Sequence, residues 1–157
     1  MPSSNLGASD ASWTPVSDAR FSAVVPTGCA ASELDEQTPY GRAHTHKWKT
    51  GDDSPRLCYI FRYTDLPAGA EYKDPQPLFD AMVRMTGAAE GSKVTGTRPL
   101  SLNGVHGWQV ESDHGGMELI EQLYITHTRS YALIRVAPKG VPTGNDPFFK
   151  SFRIDAR

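Results

Sequence analysis

The chain has 157 residues, a formal net charge of −2, 38% hydrophobic residues and 10% aromatic ones. A domain of that length buries roughly two-thirds of the surface its unfolded chain exposes, so a packed core is within reach. The charge gives no electrostatic footprint for nucleic acid or an anionic membrane surface, and no apolar run approaches the ~20 residues of a membrane-spanning helix.

Residues 1–12 are rich in Ser, Ala and Asn and lack both a charged n-region and an apolar h-region. They read as a disordered tail or linker with no signal peptide. Whether Met1 replaces a removed leader, which would put a lipid tether upstream of residue 1, stays open. Residues 13–157 read as a single domain, with no internal repeat and no second hydrophobic unit.

Phe21 to Pro26 is a short strand stopped by its proline. Thr27 to Gly41 is rich in Gly, Ala, Ser and acidic residues, contains Pro39, and reads as a loop. Arg42 to Thr50 alternates, which sets His44, His46 and Trp48 on one face and Thr45, Lys47 and Lys49 on the other. Gly51 to Pro55 is a turn. Leu57 to Asp65 follows as a strand, with Leu57, Tyr59, Phe61 and Tyr63 on one face and Cys58, Ile60 and Arg62 opposite.

Asp74-Pro75 opens the only long helix, over about 75–90. Asp74 suits a cap, and Pro75 suits the first helical position, where a missing N–H costs nothing. Leu78, Met82, Met85 and Ala89 recur at helical spacing beside Phe79 and Val83, and Gly91 is a C-terminal stop. The methionines read as core filler in preference to a cofactor box.

Lys93 to Leu102 is a strand ended by the tight Asn103-Gly104 turn. Trp108 to His114, Met117 to Thr126 and Tyr131 to Ala137 then form an antiparallel meander through Gly115-Gly116 and His127 to Ser130. Centring the turns pairs Trp108 with Leu123 and Leu123 with Ile134, and likewise Val110 with Glu121 and Glu121 with Val136. Trp108, Val110, Leu123, Ile125, Ala132, Ile134 and Val136 share one surface, which packs on the long helix. Gln109, Glu111, Ile120, Gln122, Tyr124, Leu133 and Arg135 share the other. Asn145-Asp146-Pro147 caps a short C-terminal helix, about 146–152. Its Phe148, Phe149 and Phe152 dock on that second face, at about 2 kcal/mol for each buried ring. The class is α+β: an α/β/α sandwich around a central antiparallel sheet of about six or seven strands.

With those residues in place, the chain resembles the PsbP-like superfamily, which includes the extrinsic photosystem II protein and many bacterial envelope proteins, often lipoproteins. The matching segments are Arg20 to Pro26, Tyr59 to Pro67, Asn103-Gly104-Val105-His106-Gly107-Trp108, Leu123-Tyr124, Arg129-Ser130-Tyr131 and Phe149 to Arg153. They run in the expected order over most of the chain, and their order is more specific than any one of them. The resemblance implies the same sandwich and a family of mostly non-catalytic binding or assembly proteins, with no catalytic motif to carry over. His44-Thr45-His46 and the two cysteines depart from it.

Cys29 and Cys58 lack CxxC spacing, so they read either as two separate buried thiols or as a disulfide, the latter implying an oxidising compartment. His44 and His46 project together at a spacing that clamps Zn or Cu, yet no third ligand is obvious nearby, and a solvated pair is the plainer reading. His106, His114 and His127 fall at turns. Cys58 sits mid-strand among apolar neighbours, a poor setting for a nucleophile. No Gly-x-Ser-x-Gly elbow and no phosphate loop is present, and Glu111 and Glu121 point to opposite faces.

Polar residues inside strands are the best lead. Arg62, Glu111, Gln122 and Arg135 form either a structural network or a polar groove for a partner, with Glu111 and Arg135 grouped around Gln122. Lys47, Trp48 and Lys49 add a cation-and-aromatic edge. The expectation is a non-catalytic binding or assembly module of the bacterial cell envelope acting through protein–protein contact, without a cofactor. Its partner would be another envelope protein, and it would be exported, with the cytoplasm as the alternative location. The alternative function is a small-ligand or Zn/Cu carrier. The sequence does not specify an oligomeric state.

Overall fold

The computed structural model describes residues 13–50, 57–141 and 146–155. The tail over 1–12, the turn at Gly51 to Pro55 and Asn145 lie outside the described residues. The elements run β1 (Trp13–Ser17), β2 (Phe21–Pro26), β3 (Ala30–Thr38), β4 (Gly41–Lys49), β5 (Cys58–Asp65), α1 (Gln76–Ala88), β6 (Ser92–Leu102), β7 (Val105–His114), β8 (Met117–Ile125), β9 (Arg129–Pro138), α2 (Pro147–Lys150) and β10 (Arg153–Ile154).

Seven strands form one antiparallel sheet in the order β3-β4-β5-β9-β8-β7-β6. Helix α1 packs against β6 and β7 on one face, where Phe79 stacks on Trp108 with ring centroids 6.0 Å apart. The other face is covered by α2 together with a small sheet, β1-β2-β10. The α+β sandwich is therefore as expected, and its second flank is built largely of strands.

Most of the core lies on that second face. Phe21, Phe61, Tyr131, Leu133, Phe148 and Phe152 pack there, each at 4% exposure or less. Asp146 caps α2 by accepting the Phe148 N–H at 2.8 Å, and Pro147 takes the first helical position, as the sequence suggests.

Four local expectations are corrected. The segment read as a loop, Thr27 to Gly41, contains β3, a nine-residue edge strand. All its residues but Thr38 are exposed, so it shows no apolar alternation, and it is held as a strand by its ladder to β4. The β8–β9 register is displaced by two residues: Leu123 faces Ala132 and Glu121 faces Ile134. Thr126 causes this by closing the hairpin early, its Oγ1 accepting the Arg129 N–H at 3.0 Å. The displacement is even, so every side chain keeps its face.

Helix α1 begins at Gln76, with Pro75 at the capping position, while Asp74 accepts the Gln76 N–H at 3.0 Å. Met85 is 73% exposed, and the buried stripe centres on Phe79 and Met82. The helix rolls to seat Phe79 over Trp108, which carries Met85 away from the sheet.

Candidate functional site

The β3–β4 hairpin turns through Pro39-Tyr40, with Thr38 opposite Gly41 and the Thr38 hydroxyl donating to the Gly41 carbonyl at 2.7 Å. That register sets Glu33 opposite His46 and Asp35 opposite His44. Strand pleating puts all four on one side of the sheet. His44 bridges two carboxylates: its Nδ1 meets Asp35 Oδ1, and its Nε2 lies 2.8 Å from Glu33 Oε1. Those contacts favour the charged imidazole and push its pKa up, while His44 holds the Asp35 carboxyl below the ordinary range. His46 Nδ1 lies 3.8 Å from the same Glu33 oxygen, and its ring stacks on Tyr63 at 4.7 Å.

Glu33 and Asp35 were hidden by the loop reading of β3. Centring a hairpin on Pro39-Tyr40 would have exposed them, since that placement alone sets Glu33 against His46. His106, His114 and His127 are exposed, as expected at turns.

The strand-borne polar residues do not converge on one groove. Arg135 is 3% exposed and donates through Nε to the Tyr59 hydroxyl at 3.3 Å and to Asp146 Oδ2 at 3.2 Å. The Tyr59 hydroxyl donates to the same Asp146 oxygen, and burial together with that bond pushes its pKa up to about 12. Arg135 thus ties the centre of the sheet to the cap of α2 and matches the internal-network reading. Gln122 belongs elsewhere: its Nε2 donates to Gln109 Oε1 at 2.8 Å, which also accepts from Arg98 Nη2 at 3.3 Å. Ile120, buried, stands between Glu111 and Arg135 in the ladder, so the expected grouping around Gln122 does not form.

The cation-and-aromatic edge is divided by the pleat and is not an edge, because β3 flanks β4. Trp48 faces inward and stacks on Phe61 at 5.6 Å. Lys47 lies opposite Arg62, and Lys49 opposite Ile60, on the α1 side of the sheet. Beyond the cover of α1, that side carries Ile60, Leu119, Ile134 and Val136, all only half-buried. Glu121 sits among them. Burial raises its pKa, and the nearby Arg62 opposes the shift only in part.

Sequence reasoning also missed the role of Arg129. It is 5% exposed and forks onto Asp65 at 2.7 and 3.0 Å, with a further bond to Asp18 at 2.7 Å. Its guanidinium lies 4.2 Å from the Tyr63 ring centroid. These contacts lock the start of β9 to the end of β5 and to the β1–β2 turn. Cys29 and Cys58 are free thiols, and the Cys29 thiol is pushed up by burial, with Cys58 adding to it.

A groove of about 440 Å³ runs beside the start of α1, lined by Tyr72, Pro75, Val105, His106, Ile125 and His127. Nearby, the indole N–H of Trp108 has no hydrogen-bond partner among the described residues. No described helix is long and apolar enough to cross a membrane.

No protein-family model and no curated protein matches this chain. Its structure is similar to the solution structure of cyanobacterial PsbP (CyanoP) from Synechocystis sp. PCC 6803, with a TM-score of 0.60, 11% identity and 98% of each chain covered. The chain has the PsbP-like fold.

Proposed function

We propose that the protein is a non-catalytic binding or assembly module of the bacterial cell envelope, one exported unit that grips another protein with the part of its main sheet that α1 leaves open. One observation carries this reading. Half-buried Ile60, Leu119, Ile134 and Val136 form a mainly apolar centre around the single carboxyl of Glu121, with Lys47, Lys49 and Arg62 about it. An apolar middle with a polar, charged rim is how protein interfaces are built. Rim cations steer the approach of a partner that carries acidic groups at its own border. Of the seven residues expected to bind, Lys47, Lys49 and Arg62 belong to this surface, whereas Arg135 is committed to Asp146 and Tyr59.

The non-catalytic part of the reading is supported by how the strand-borne polar groups are used. Arg135, Arg129 and Gln122 spend their bonds on neighbouring elements, and the Cys29 thiol is shifted away from the reactive thiolate form. The envelope placement draws on the PsbP-like fold and on the resemblance carried by the sequence motifs.

The test compares tagged wild type with Arg62→Glu in quantitative capture from the envelope fraction of cells that make the protein. The reading expects a defined envelope protein retained by wild type and depleted about tenfold by the variant, a change of about 1.4 kcal/mol. Identical partner profiles for the two proteins would contradict it.

A further inference from the structure

We propose that the β3–β4 hairpin carries a site for a divalent transition-metal ion of the Zn²⁺ or Cu²⁺ class, with Glu33, His44 and His46 as ligands. The site lies on the opposite sheet face from Lys47 and Arg62, so it stands or falls independently of the protein-contact reading. One ligand atom from each of the three residues lies within 4.8 Å of the others. Glu33 Oε1 is 2.8 Å from His44 Nε2 and 3.8 Å from His46 Nδ1. Donors held ~2.0–2.1 Å from a tetrahedral Zn²⁺ are about 3.3 Å from one another, so side-chain rotations suffice to close the site. The backbone positions are already fixed by the ladder, with Glu33 paired to His46.

The donor set selects the metal. Two imidazoles and one carboxylate suit Zn²⁺ and Cu²⁺, whereas Ca²⁺ and Mg²⁺ prefer all-oxygen shells. Three protein ligands on an exposed strand pair leave a fourth position to water. Asp35 completes the arrangement. Its carboxylate meets His44 Nδ1, leaving Nε2 for the ion, which is the outer-shell partner that orients metal-binding imidazoles. His46 is positioned too, because its ring stacks on Tyr63 and on Trp48, with interplanar angles of 20° and 19°.

Titration of the full chain with ZnCl₂, followed by calorimetry and by histidine NMR signals, tests the proposal. The expected result is one ion per chain with micromolar affinity. Shifts should be confined to His44 and His46, with His106, His114 and His127 unmoved. His44→Ala and His46→Ala should each weaken binding at least tenfold, and Glu33→Gln similarly. Asp35→Asn, which touches no ion, should also weaken it about tenfold through loss of the outer carboxylate. Circular dichroism of each variant separates lost ligation from lost folding. Three results would overturn the proposal: no saturable Zn²⁺ binding up to about 100 µM, binding that survives both alanine variants, or Ca²⁺ binding as tight as Zn²⁺ binding.

Discussion

Arg135 shows what a buried charge costs and what it secures. Its side chain is 3% exposed, and the Asp146 carboxylate that meets it also caps α2. Asp146→Ala would take the carboxylate from a buried cation and the acceptor from a helix start together. The expected loss is about 3–5 kcal/mol, read from urea denaturation. Asp146→Asn keeps the cap and should cost visibly less. Glu121 makes a prediction of opposite sign. Its folded pKa lies above the unfolded one, so the native state holds the proton more tightly. Its contribution is therefore most favourable at low pH and is lost as pH rises through the folded value. Glu121→Gln should raise the melting temperature at about pH 8 and change it little near pH 4. A uniform effect at both pH values would contradict the assignment.

At the scale of elements, close approaches and edges decide what could be read in advance. Gly107 sits where an added Cβ would meet Tyr124 Cδ1 at 2.5 Å and the Leu123 carbonyl at 3.0 Å. Tyr124 is itself buried against Phe152, so it has little room to retreat. Gly107→Ala should cost about 1–3 kcal/mol in thermal or chemical melts, as overpacking does. Phe148, fully buried against Trp13 and Tyr59, anchors β1 as well as α2. Phe148→Ala should cost about 3–5 kcal/mol and speed amide exchange selectively in Trp13–Ser17. The capped α2, the Asn103-Gly104 turn and the β7–β8 register were legible because each has a local cause: a cap, a φ of 52° at Asn103, or a two-glycine turn. Strand β3 was not, because an edge strand open to water has no buried side to write into its sequence. The β9 slip was not either, since it depends on one threonine hydroxyl closing the turn. Missing β3 concealed half of the histidine cluster, because Glu33 and Asp35 acquire meaning only once they are paired with β4.

Across the whole molecule, the two faces of the main sheet are finished differently. One is sealed by β1, β2, β10 and α2 over an aromatic core, while α1 shields only the β6–β7 end of the other. The sandwich was legible because both faces showed apolar alternation, yet the sequence could not show how far each cover extends. That extent is a property of tertiary packing, whereas the pleat alone sets Arg62 and Arg135 on opposite faces. The proposed function needs the part of the sheet beyond α1, uncovered among the described residues, to meet a protein. The most direct measurement places a photo-cross-linking residue at position 134, and in parallel at Met85 on the outer side of α1, in cells that make the protein. A discrete protein adduct is expected from position 134, reduced about tenfold by Arg62→Glu, and none from position 85. No adduct at 134, or the same adducts from both positions, would contradict the proposed function.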